Sequence, residues 1–218
     1  MCEERLTTIR ADYDRLAQEY ANRLFHELDG KPLDRELLLR IAHATSGLGP
    51  ICDLGCGPGH VARFLYQAGA RVFGLDLSPG MVGQARRLNP EIEFRVGNML
   101  ALDLGNSELA AIVAFYSIVN LVPEMLRVAF AEMARVLAPG GLLLLAFHVG
   151  SQMLRPQELW GQPVTMGFFF FEPPEIERLL REAGFAIAEI VERGPYAPEV
   201  EHQSRRAYIF ARKPETPA

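Results

Sequence analysis

The run Asp53-Leu54-Gly55-Cys56-Gly57-Pro58-Gly59 carries the clearest chemical signal in the chain. Glycines after an apolar stretch let the backbone take positive φ and approach a ligand closely, while a following helix presents free N–H groups. The spacing narrows the ligand. A dinucleotide turn reads Gly-x-Gly-x-x-Gly, whereas Gly55, Gly57 and Gly59 alternate strictly and an acid, Asp53, precedes them. A carboxylate there repels a pyrophosphate and attracts an ammonium group, which favours a zwitterion carrying an amine. The second feature is Asp76, at the end of Val72-Phe73-Gly74-Leu75. A strand-end carboxylate at this distance after the glycine turn can accept both hydroxyls of a ribose and disfavours a phosphorylated one. Alone, Asp76 would read as a solvated acid or a helix cap; beside the glycine turn, the ribose reading prevails.

These residues need elements to hold them. Leu6, Ile9, Tyr13, Leu16, Ala17, Tyr20, Leu24 and Leu28 recur at helical spacing and predict a helix over 3–28. After a break at Asp29-Gly30-Lys31-Pro32, Leu33 to Thr45 resumes the pattern. Strands are expected at 51–54, 71–75, 92–96, 109–116 and 142–148, alternating with helices at 60–68, 78–88 and 124–137. Ala138-Pro139-Gly140-Gly141 reads as a turn and Ser78 as a helix cap. Residues 150–172 break the rhythm and read as an inserted cover. A helix from Pro173 to Ala183 and two strands, 186–192 and 207–211, complete the chain. The alternation implies a Rossmann-like, doubly wound α/β sheet, mostly parallel, with an antiparallel hairpin at one edge. One domain is expected: a helical cap (1–46) lying as a lid over the sheet's carboxyl edge, a cofactor-binding core (50–149), the cover (150–172), and a closing helix and hairpin (173–213). Lys213 to Ala218 reads as a polar tail.

Composition bounds the function. With 49% hydrophobic and 22% charged residues over 218, the chain can build a core without a staple. A net charge of −5 argues against a broad nucleic-acid surface. No apolar run approaches the roughly 20 residues of a membrane span, and the polar start carries no secretory signal, so the expectation is a cytoplasmic protein, monomer or homodimer, with neither nucleic acid nor membrane as partner. Cys2, Cys52 and Cys56 lack the second pair that zinc requires, so no metal site is expected. Cys56 could serve as a thiol nucleophile, but small buried cysteines in a reducing compartment are the plainer reading.

Taken together, the motifs resemble the class I S-adenosylmethionine-dependent methyltransferases, especially small bacterial methyltransferase-domain enzymes acting on diverse small molecules. The resemblance covers residues 10–212. It implies S-adenosylmethionine as cofactor, S-adenosylhomocysteine as product, and a seven-stranded sheet whose last strand is antiparallel. Asp53, Gly55, Cys56, Gly57 and Gly59 resemble the turn that binds the methionine end, and Asp76 the ribose-binding acid. Leu77 and Met81 match apolar adenine-side contacts. Asn98 and Met99 stand where the family has an acid and a hydrophobic residue, and the Asn98 amide oxygen can accept the adenine amino group. Val113 to Asn120, with Phe115 and Tyr116, matches the fourth-strand motif, and Tyr13 and Tyr20 match a cap that closes over the cofactor. Two departures stop a general base from being carried over: Ala110-Ala111-Ile112 lacks the usual acid, and Asn120 replaces a common histidine.

The implied reaction is methyl transfer to an O or N atom of a small-molecule acceptor. A sulfonium donor is already activated, so positioning and water exclusion supply much of the catalysis, and a base is needed only when the acceptor must lose a proton. His148, at a carboxyl strand end, is a candidate base or an orienting polar residue. Tyr116 and Ser117 could hydrogen-bond the acceptor or merely pack. Trp160, Met166 and Phe168 to Phe171 could line an apolar pocket, although alternate phenylalanines must face opposite sides. Tyr196, Glu201, His202, Arg205 and Arg206 read as a solvated loop with a hairpin ion pair, an arginine that binds an acceptor anion being the alternative. A catalytically silent cofactor-binding module and a protein acceptor remain alternatives. An NAD oxidoreductase is disfavoured by the glycine spacing. Nucleic-acid methylation is disfavoured because Pro173-Pro174 follows Glu172 in the wrong context for the signature.

Overall fold

In the computed structural model, which describes residues 2–215, seven strands form one sheet in the order β10-β11-β5-β4-β1-β2-β3. The elements are α1 (Cys2–Leu24), a 3₁₀ turn (Glu27–Gly30), α2 (Pro32–Ala44), β1 (Ile51–Leu54), α3 (His60–Gln67), β2 (Val72–Asp76), α4 (Pro79–Leu88) and β3 (Glu93–Val96). They continue with β4 (Leu109–Phe115), α5 (Pro123–Val136), β5 (Leu137–His148), short strands β6 (Met153–Leu154), β7 (Glu158–Leu159), β8 (Gln162–Pro163) and β9 (Phe168–Phe169), α6 (Pro173–Glu182), β10 (Ala186–Arg193) and β11 (Arg206–Arg212). The Cys2 side chain and the tail beyond Glu215 lie outside the described residues.

Period-two alternation separates two cores. Ile112, Ala114, Leu143, Leu145 and Phe147 face α5 and α6, whereas Ala111, Val113, Leu144 and Ala146 face α2 and α3. β1 to β5 pair in parallel; β11 is antiparallel to both neighbours, β5 and β10, between which it is wedged. The mostly parallel, doubly wound sheet and its antiparallel last strand are thus as expected.

Three expectations need correction. α1 stops at Leu24, and Glu27–Gly30 tightens into a 3₁₀ turn that carries Glu27 to His60 and Lys31. The Pro139-Gly140-Gly141 segment is no turn before β5 but an irregularity inside it: Leu109 pairs with Leu137 and Ala111 with Leu142, and Gly140 at φ +75° absorbs the excess chain. The cover is not irregular throughout, for β6 pairs with β9 and β7 with β8 in two small ribbons.

Candidate functional site

Strand order reverses between β1 and β4, whose following helices, α3 and α5, pack on opposite faces of the sheet. Such a switch point opens a crevice beyond the carboxyl ends. There Gly55, Gly57 and Gly59 take φ values of +76°, +52° and +83°. A Cβ on Gly55 would stand 2.3 Å from Ser117 Cβ, and one on Gly59 2.7 Å from the Phe94 ring, so the turn lies flat against its neighbours only as glycine. Asp76 stands opposite: Oδ2 accepts from Gly57 N at 2.8 Å and Oδ1 from Ser78 N at 2.9 Å. Burial raises its pKa, the two N–H bonds oppose that, and the carboxyl settles at about 6.

Tyr13, Tyr20, Gly55, Gly57, Asp76 and Leu77 line one narrow cleft of about 80 Å³ with Met81, Asn98, Met99, Phe115 and Tyr116. The buried Ser117 Oγ beside it has no partner among the described atoms. Asn98 Oδ1 already accepts from Leu100 N at 3.0 Å and keeps one lone pair free.

Three residues expected at the cofactor lie outside this lining. Alternation along β1 sends Cys52 and Leu54 to one face and Asp53 to the other, where its Oδ2 accepts from Ala62 N, in the first turn of α3, at 2.9 Å. Asp53 is therefore a buried helix-terminus acid, raised to about 7 by burial despite the opposing effects of His60 and Ala62. Cys56 is buried, its thiol pushed well above the ordinary range, which removes the nucleophile reading. Gly59 shapes the turn from behind.

α1 covers the cleft as a lid. Asp14 Oδ1 accepts from Ser78 Oγ at 2.6 Å and Gly80 N at 2.8 Å, latching α1 to α4. Asp12 Oδ2 accepts from Thr165 N and Met166 N at 2.7 and 2.8 Å, latching it to the cover. Tyr13 Oη donates to Asn120 Oδ1 at 2.9 Å, and Asn120 Nδ2 donates to the Gly167 carbonyl.

Tyr13, Tyr20 and Tyr116 also line a second cavity of about 720 Å³. Leu16, Leu159, Trp160, Met166 and Phe168 line its apolar end, and the Phe170 ring stands at the boundary with the polar end, 5.1 Å from His148. As the alternation required, Phe168 and Phe170 face this cavity while Phe169 and Phe171 pack on the α5 core. The other end holds Glu27, Lys31, His148, Glu201, His202 and Arg206. Glu201 and Arg206 are buried at 9% and 2% exposure, so the solvated-loop reading fails for them; the hairpin ion pair is present as Arg205–Glu192.

The sequence reading missed what lies beneath. Asp34 Oδ2 accepts from Tyr208 Oη at 2.8 Å and Arg193 Nη2 at 3.0 Å, and Arg193 also clasps both oxygens of Glu201. Asp34 occupies the same helical stripe as Leu37, Leu38 and Ile41, a fully buried acid on an apolar face, and that misfit was the available signal. Tyr116, held at φ +52°, directs its hydroxyl at this network, 3.4 Å from Asp34 Oδ1 and 3.2 Å from Tyr208 Oη, so its ring rather than its hydroxyl faces the cavities. His148 Nδ1 lies 2.8 Å from Ser204 Oγ. Burial and the positive charges of Arg206 and Lys31, with His202, lower its pKa to about 3, so it stays neutral near pH 7 and is a weak proton acceptor. Among the described residues no cluster of His, Cys, Asp and Glu could hold a metal, and no helix is long and apolar enough to cross a membrane.

The sheet order, the glycine turn against Asp76 and the paired cavities define a Rossmann-like protein that binds an adenosyl cofactor. Residues 51–141 match the methyltransferase domain family, and this region is a class I S-adenosylmethionine-dependent methyltransferase domain, with that sulfonium compound as its cofactor. An uncharacterised methyltransferase of Synechocystis is 30% identical over 63% of this chain and 66% of its own. The O-methyltransferase cnsE of Penicillium expansum is 28% identical over 76% of this chain and 62% of its own. Magnesium protoporphyrin IX methyltransferase of Synechocystis, solved with its cofactor bound, shares the fold at a TM-score of 0.70 and 20% identity, covering 96% of this chain and 97% of that one. The chain spans about half to two-thirds of the length of the first curated relatives it matches, 43% to 66%.

Proposed function

We propose that the protein transfers a methyl group from S-adenosylmethionine to an O or N atom of a small molecule seated in the larger cavity. The observation that carries this reading is the junction: Tyr13, Tyr20 and Tyr116 line both the cleft and the cavity. The cleft residues fit the cofactor by chemistry. Asp76 offers a buried carboxylate to ribose hydroxyls, Leu77, Met81 and Met99 offer apolar contact to an adenine, and the unpartnered Ser117 Oγ offers a hydroxyl deeper in the cleft. The bound sulfonium supplies an activated methyl group with a neutral leaving group. The chain's own contribution is to aim the acceptor through the tyrosine junction and to exclude water with α1 and the cover. With His148 buried and neutral, catalysis rests on positioning and water exclusion rather than on a strong general base.

Calorimetric titration with S-adenosylmethionine, S-adenosylhomocysteine and NAD, followed by a labelled-methyl screen of small acceptors, tests the reading. Binding of the first two without NAD, and label transfer to an acceptor, are expected. Binding without transfer to any acceptor, protein acceptors included, would leave a cofactor-binding module and overturn turnover.

A further inference from the structure

We propose that the polar end of the large cavity is an anion subsite, in which Lys31, Arg206 and His148 receive the carboxylate or phosphate of an acceptor whose apolar body lies along Trp160, Phe168 and Phe170. The inference rests on the reading of this cavity as the acceptor site. Its basis is an imbalance of hydrogen-bonding groups. Every carboxylate oxygen at this end is engaged: Glu27 by His60 and Lys31, Glu201 by Arg193 and the Tyr196 N–H.

Donors are left over. The Lys31 ammonium, only 4% exposed, donates to Glu27 at 2.6 Å and stands 3.8 Å from Glu201, beyond hydrogen-bond reach, so N–H groups remain. Arg206 Nε, also buried, lies 3.1 Å from Glu201 Oε2 but in a direction that forms no hydrogen bond. His148 is bonded only through Nδ1, to Ser204 Oγ; that hydroxyl accepts from Arg206 Nη1 and so turns its own proton to Nδ1, the tautomer that leaves Nε2–H as a donor. The three groups converge on one ring: Lys31 Nζ is 5.3 Å and the Arg206 guanidinium 5.7 Å from the Tyr116 centroid, and the His148 ring is 5.1 Å from it. A cationic or purely apolar group there would leave buried donors unsatisfied; a neutral oxygen can accept from them, but an anion does so with charge-assisted bonds that the apolar walls strengthen. Burial, and after it the charges of Arg206 and Lys31, lower the pKa of His148, so its ring is neutral beside these cations.

Trp160 is the sole tryptophan and lies in this cavity, so its emission reports occupancy. The full chain is titrated at pH 7.5 with 4-phenylbutyrate, 4-phenylbutyl phosphate and neutral 4-phenylbutanamide. At least one anion is expected to bind tenfold or more tighter than the amide, and the tighter of the two identifies the group the subsite takes. An amide within twofold of both anions, or no response to any probe up to about 10 mM, overturns the subsite. Lys31→Met is expected to abolish the anion preference while leaving the amide unchanged. Should that variant fail to fold, His148→Phe keeps the ring packing and removes Nε2; it should reduce the preference at least threefold, and an unchanged preference counts against the subsite. S-adenosylmethionine calorimetry on the same wild-type sample separates the two readings. Cofactor binding without anion preference sinks the subsite alone, whereas failure of cofactor binding sinks the methyltransferase reading and leaves the anion result to stand on its own.

Discussion

Asp76 accepts two backbone N–H bonds with opposite oxygens and still offers lone pairs to the cleft. Asp76→Ala is expected to weaken S-adenosylmethionine at least tenfold by calorimetry; an unchanged affinity in a folded variant removes the ribose assignment. The sign of the pH effect follows. The ligand favours the ionised carboxylate, whose pKa is raised to about 6, so affinity is full above that value and falls as the pH drops through it. About a tenfold loss is expected between pH 8 and pH 5. Gly55 permits no Cβ, both because of φ +76° and because Ser117 lies 2.3 Å from where it would stand. Gly55→Ala should cost about 2–4 kcal/mol of stability in urea titrations and abolish cofactor binding.

The N-terminal helix is held by two carboxylates one turn-fraction apart, Asp12 toward the cover and Asp14 toward α4. A cleft of about 80 Å³ is smaller than the roughly 300 Å³ at which ligand pockets begin, and outward movement of α1 is the expected way for a cofactor to enter. Asp14→Ala breaks the α4 latch alone. Faster amide exchange along α1 and a melting point lower by about 2–4 °C are expected, with quicker cofactor association in stopped flow. Unchanged exchange along α1 would show that Asp14 does not restrain the lid. Most of the strands and helices were readable from local pattern: β4 and residues 142–147 of β5 are apolar runs of strand length, and Ser78 caps α4 as its type suggests. The glycine turn and Asp76 were readable for the same local reason. What escaped reading depends on partners far along the chain. Asp53 looked like a ligand group because a motif conveys spacing but not which face of β1 the side chain takes. Arg206 looked solvated because its partners, Glu201, His202 and Ser204, lie in the same loop, and what buries that loop is the distant helical cap around Gly30 and Lys31.

Three acids, Glu27, Asp34 and Glu201, and three cations, Lys31, Arg193 and Arg206, bind the helical cap to the last hairpin inside the protein. Removing one member of such a network takes an acceptor from buried donors that keep only part of their bonding. Asp34→Ala leaves Arg193 with the Glu201 carboxylate and Tyr208 with Tyr116 and Arg193, and should cost about 1–3 kcal/mol in denaturant titration. A cost below about 1 kcal/mol would place the network among ordinary surface pairs.

The wedging of β11 between β5 and β10 bears on how the molecule is made. Arg206 opens the strand and pairs in register with His148, so the floor of the large cavity is absent until residues 206–212 have been synthesised and inserted. Other residues that line that cavity, between Tyr13 and Lys31, leave the ribosome well before β11 does. Segments about 175 residues apart or more must therefore meet around the sheet, which raises the contact order. Every residue that lines the narrow cleft lies before residue 122, whereas the large cavity is incomplete until β11 is in place.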